Sequence, residues 1–213
     1  MKFSELFKKE INELGKILVE APWHNEKFYT AWLAQTYYFV KESSRLLMLC
    51  GSRIPQENTQ LHFRFIKHAA EEKGHEFLLL KDLKKLGHSV EEVLEFSSTA
   101  GFYQSQYFWI EHRNPLAFFG YVLVLEGLAS VHGDRVHAQA LKAFGSEATS
   151  FLKVHAEEDP DHTEKALKEL ESLSGESMRA VEENFRLALG AYAQILRDCQ
   201  HYAQFQPRFE KSV

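Results

Sequence analysis

Apolar residues recur at three- and four-residue intervals from one end of the chain to the other, and the two-residue alternation of strands is nearly absent. Phe3, Leu6, Phe7 and Leu14 carry the period at the start and predict a helix over 3–20. Residues 25–50 predict a second, aromatic-rich helix, ended by Gly51 with Pro55 beyond it. Leu61, Phe65, His68, Glu72, His75 and Leu79 then step by four, three, four, three and four, which predicts one long helix over 56–86, stopping before Gly87. A short helix is expected after Ser89, with Glu91 and Glu92 in its first turn. Residues 98–113 form a further segment. Asn114 and Pro115 supply the cap and first-turn proline of a helix running to about 131, and Gly133-Asp134 reads as a break or kink. Ser146 is the expected cap of the next helix, and a last one spans about 175–203. Residues 1–2 and 205–213 read as frayed ends, and no repeat or linker divides the chain. The expectation is one all-α domain over 1–213, a bundle of seven or eight helices.

Composition narrows the class. Of 213 residues, 45% are hydrophobic and 26% charged, which suits a packed core and argues against wholesale disorder. The net charge of −5 comes with no basic stripe, so no nucleic-acid partner is expected. No uninterrupted run of about 18 apolar residues suggests a membrane span, and the charged start "MKFSELFKKEINELG" has no signal-peptide pattern. Cys50 and Cys199 form no metal or redox pair and are expected as free thiols, in keeping with a cytoplasmic location.

The chemistry lies where ionisable residues interrupt apolar stripes, because a buried charge is costly unless it is paired or metal-bound. Glu72 and His75 form a Glu-x-x-His pair in the middle of the third stripe, with Glu71 within reach and His68 seven residues before His75. Glu126 is a lone acid inside "FFGYVLVLEGLAS". "HAEEDPDH" holds His155, Asp159 and His162, which on a continuous helix fall within roughly 60° of one another. Pro160 either ends one helix there or distorts it. Each group alone has a plainer explanation: a charged face, an internal ion pair to an arginine, a wet turn. Together, on three helices, they offer three carboxylates and three imidazoles, a donor set that suits iron or manganese and admits zinc. Some of the aromatic residues over 36–40 and 102–110 could line a substrate pocket beside the metals.

The order Glu-x-x-His, a lone Glu on a later helix, then His-x-x-x-Asp-x-x-His resembles the heme-oxygenase-like diiron oxidases and oxygenases. That group includes UndA, the CADD protein and the N-oxygenase domain of SznF, and is related in fold to TenA and PqqC. "HAAEEKGHEFLLLKDLKKLG" is similar to a segment of its members called iron-containing redox enzymes. The resemblance implies a heme-oxygenase-like helical bundle without heme, with Fe(II), two per chain, or manganese or mixed metal, and O2 as co-substrate. It implies Glu72, His75 and His155 at the firmer iron site, and Glu126, Asp159 and His162 as the remaining ligands. CADD-like members carry a tyrosine directly before the lone Glu, where this chain has Leu125, and a Glu where it has His68. The expected function is oxidation of a small organic molecule, with a homodimer as the guess for assembly. Two rivals stand beside it: a metal-free enzyme of the PqqC or TenA kind, and a non-enzymatic helical interaction protein.

Overall fold

The computed structural model describes residues 2–170, 173 and 175–205, except for the side chains of 158–162. Among the described residues there are helices and no strand. The α-helices are α1 (Phe3–Glu20), α2 (Glu26–Val40), α3 (Ser43–Arg53), α4 (Thr59–Glu71), α5 (His75–Lys85), α6 (Ser97–Phe108), α7 (Phe118–Phe144), α8 (Ser150–Leu170) and α9 (Gly175–Gln204). The all-α expectation holds, and among the described residues two of the predicted helices are each split.

The helix predicted over 25–50 breaks at Lys41 and Glu42, where the Tyr107 hydroxyl donates to Glu42 at 2.8 Å. Its second half runs past Gly51 to Arg53, because Gly51 is an approach point and not a stop. A Cβ there would sit 3.3 Å from Phe65 Cβ on α4. The helix predicted over 56–86 breaks between Glu71 and His75, and Gly74 takes φ +95°, a left-handed conformation that costs glycine nothing. Residues 98–113 finish in a π-helical turn, Trp109–Arg113. Gly133-Asp134 does not break the helix; α7 continues to Phe144, and Gly133 lies where α7 meets Ala156 of α8.

α7 is the central rod. It packs on α8, α9 and α1, and its apolar run meets other helices on most sides. The stretch Pro115–Phe144 has the length and hydropathy to cross a membrane, but 78% of its most apolar window is buried within the bundle, so its hydropathy is that of a core helix. Gly120 lets α9 approach so closely that a Cβ would fall 2.4 Å from the Phe185 backbone nitrogen. α1 is held to α7 by His132, whose Nε2 donates to the Ile11 carbonyl while Nδ1 accepts from Arg135. Burial, then the Arg135 charge, lowers the His132 pKa, in keeping with a neutral ring. Phe118 and Phe119 of α7 are fully buried, as are Phe28, Phe65, Phe102 and Phe185 from other helices.

Candidate metal centre

Three helices and one joint bring the polar residues together. Glu72 caps the end of α4 and His75 begins α5, so the Glu-x-x-His pair does not share a helical turn as its spacing suggested. The Gly74 turn folds the two back toward each other, with His75 Nδ1 3.7 Å from a Glu72 oxygen. His155 comes from α8, its ring 4.9 Å from that of His75. Ligand atoms of Glu72, His75 and His155 all lie within 4.8 Å of one another. The Nδ1 of His155 donates to the Phe151 carbonyl at 3.0 Å, which leaves Nε2 as the ring's lone-pair nitrogen.

α8 is aimed by a residue on α5. Asp82, fully buried, accepts from the Ser150 backbone at 3.1 Å, from the Ser150 hydroxyl at 2.5 Å and from the Phe151 backbone at 2.9 Å. It caps the start of α8 from another helix, in the place expected for Ser146, which instead opens a short 3-10 turn. Burial pushes the Asp82 carboxyl up despite these three donors. The same acid thereby fixes α5, which starts with His75, against α8, which carries His155.

His68 links the remaining acids. Its Nε2 is 3.2 Å from Glu126 and 3.5 Å from Glu72, and all three are largely buried. Burial works against charge on each. On His68 it is outweighed by the hydrogen bond to Glu72 and the charges of Glu126 and Glu72, so its pKa rises. On Glu72 it is outweighed by hydrogen bonds to His68 and His75 and by the charge of His155, which hold the carboxyl well below its usual range. On Glu126 burial prevails and pushes the carboxyl up to about 7. Glu126 therefore faces His68, and Arg64, whose charge also reaches Glu126, pairs with Glu169 at 3.0 Å.

Of the expected residues, Glu72, His75 and His155 meet directly, and Glu126 joins through His68. Glu71 is engaged by Lys67 at 2.9 Å. Asp159 and His162 have side chains outside the described residues. The backbone of α8 is continuous from Ser150 to Leu170, so positions 155, 159 and 162 stay in register on one face, and Pro160 does not end the helix. Two residues escape the sequence reading. Asp82 looks like one more charge in "LKDLKK", and Tyr121 like one more core aromatic.

Beside the acids lies a cavity of about 110 Å³. Its walls include Trp32, Phe39, Leu47, Phe118, Val122, Leu125 and Leu152, and its polar side chains are Thr36, Ser43, His68, Glu72, Tyr121, Glu126, His155 and Tyr192. Two imidazoles and one carboxylate within 4.8 Å form the donor set with which non-heme iron is commonly held, with coordination positions left open. The residues present thus fit an iron ion, and the open side of the set adjoins an apolar chamber.

The comparisons with known proteins bear on the fold and the family. A search of curated proteins finds no match. Among solved structures, the chain is similar to a domain of unknown function with a heme oxygenase-like fold from Shewanella denitrificans, with TM-score 0.82, 21% identity, and 96% of this chain and 94% of that one covered. It is similar to a TenA homologue from Pseudomonas syringae pv. tomato, with TM-score 0.76, 10% identity and 94% and 93% covered. It is also similar to a CADD-like protein of unknown function from Nostoc punctiforme, with TM-score 0.63, 13% identity and 94% and 96% covered. At such identities these likenesses establish the heme oxygenase-like fold alone. The family model described as "Iron-containing redox enzyme" matches residues 30–193, which takes in every helix that contributes to the cluster. The chain therefore belongs to the iron-containing redox enzyme family, on a heme oxygenase-like fold.

Proposed function

We propose that this protein is a non-heme diiron, O2-dependent oxidoreductase acting on a small organic molecule. The observation that carries the reading is the convergence of Glu72, His75 and His155 beside an apolar chamber. These three would hold one ion, and Glu126 with Asp159 and His162 would hold the second. Iron bound there supplies electrons to O2 and Lewis acidity toward oxygen ligands.

The chain's own contribution is orientation, charge and dryness. Phe151 fixes the His155 tautomer, and Asp82 fixes the helix on which His155 stands. Glu72 remains an anion under the influence of His68 and His75, ready for a cation without prior loss of a proton. His68 stands between Glu72 and Glu126 and can pass a proton between them as their charges change. With a ligand in the chamber, the apolar walls would keep water from the reacting face. A mononuclear iron centre is the second reading, favoured by the fact that the described trio is complete for one ion.

The test is anaerobic titration of the metal-free protein with Fe(II), followed by O2 with absorbance recorded. Near two irons per chain, oxidised on exposure to O2, is the expected result; one supports the mononuclear reading. His155→Ala should bind iron at least about 10-fold more weakly, the loss typical of disturbed metal ligation. No iron uptake by the wild type would overturn the proposal and put the metal-free enzyme or the interaction protein in its place.

A further inference from the structure

Tyr121 stands on α7, one and a half turns before Glu126, and is only 2% exposed. It lines the cavity, and its hydroxyl has no hydrogen-bond partner among the described residues. The hydroxyl lies close enough to Glu72 to feel that carboxylate's charge. The neighbouring phenol, Tyr192, is already engaged as acceptor for the Trp32 indole at 3.3 Å. A buried donor left unmade costs free energy that a bound molecule could recover. Burial pushes the Tyr121 phenol far above its usual range, so it stays protonated and offers a donor.

The rest of the lining narrows what could meet that donor. No lysine or arginine lines the cavity among the described residues. A phosphate or a remote carboxylate would face Glu72 and Glu126 with nothing to offset it, and an ammonium would compete with the metal for the same carboxylates. A water needs roughly 10–15 Å³ measured in this way, so the chamber of about 110 Å³ holds about ten non-hydrogen atoms. We propose that the substrate is an electrically neutral, mostly apolar molecule of about ten non-hydrogen atoms, anchored by one hydrogen-bond acceptor on the Tyr121 hydroxyl. This deepens the proposed function and rests on it for the word substrate. The ligand class itself rests on the cavity and Tyr121.

The experiment titrates metal-free protein with a shape-matched set, 4-ethylbenzyl alcohol, propylbenzene and 4-ethylbenzoate, by calorimetry and by tryptophan emission, since Trp32 lines the cavity. The alcohol should bind at least about 10-fold more tightly than the benzoate, whose charge would be buried against Glu72, and about 5- to 10-fold more tightly than propylbenzene, the size of one buried hydrogen bond. Tyr121→Phe keeps the ring and removes only the hydroxyl. It should weaken the alcohol about 5- to 10-fold and leave propylbenzene unchanged. The benzoate binding as well as the alcohol overturns the proposal. So does an equal loss for alcohol and hydrocarbon, or no loss for either. Iron titration of the same two proteins separates the two readings. The predicted binding pattern in a protein that takes up no iron supports the ligand class and counts against the iron centre. Normal iron uptake with the wrong binding pattern sinks the ligand class alone.

Discussion

At the residue scale, Glu126 shows how one acid can be read correctly and still hold something back. Its place in an apolar run marks it as buried, and it is; nothing in the run says that its neighbour is His68. In the metal-free protein its carboxyl, pushed up to about 7 from an ordinary 4.5, binds a proton that the unfolded chain has already released. Between those two pH values the folded state holds more protons than the unfolded one, so this group makes stability fall as pH rises. Glu126→Gln removes that dependence. The variant should gain stability relative to wild type as pH rises from about 4.5 to about 7, with no difference at lower pH, measured by urea denaturation without metal. A constant difference across that range would show that Glu126 is ionised throughout. Gly74 is the second informative residue. Its φ of +95° leaves ordinary space for a Cβ, 3.8 Å from Phe77, so Gly74→Ala tests backbone strain alone. It should cost about 1 kcal/mol or more and also weaken iron binding, because Glu72 and His75 stand on either side of it.

At the element scale, the period of three and four located the helices well but could not see the joints within them. Lys41-Glu42 and Gly74 both lie inside unbroken apolar stripes, and a stripe continues across a sharp turn when both arms face the same core. The reverse error occurs at Gly51 and Gly133, which read as stops but are points of close approach between helices. Asp82 was hidden for a different reason: capping from another helix leaves no local signature, since the acid lies far along the chain from the amides it receives. Asp82→Ala would strand the Ser150 and Phe151 amides in the interior. It should cost about 2 kcal/mol in denaturant unfolding and weaken iron binding in parallel. Asp82→Asn, which keeps an acceptor, should lose less. Equal iron affinity in the alanine variant would show that α8 is aimed by its packing and not by its cap.

At the scale of the whole molecule, the grouping of Glu72, His75 and His155 came from the family resemblance and not from spacing, while the all-α bundle was legible because helix period is a local property. The chamber was not, since its walls come from helices far apart in sequence. A metal held by residues of α4, α5 and α8 ties three elements of the native state that are free of one another in the unfolded chain. Iron at about 100 times its dissociation constant should then raise stability by about 2.7 kcal/mol, which for a chain of this size is roughly 5–10 °C in Tm. At the same iron concentration His155→Ala, binding at least about 10-fold more weakly, should show a rise of about 1.4 kcal/mol or less. A final consequence follows from Pro160 inside the continuous α8. Proline has no amide hydrogen to return to the Ala156 carbonyl, so one rung of the ladder is missing by covalent structure. The half nearer Ser150 is secured by Asp82, and the half nearer Leu170 by Thr163, Ala166 and Leu170 in the core. In amide hydrogen exchange, α8 should therefore report two opening free energies, with the step at the proline, and the amides just beyond it should exchange first.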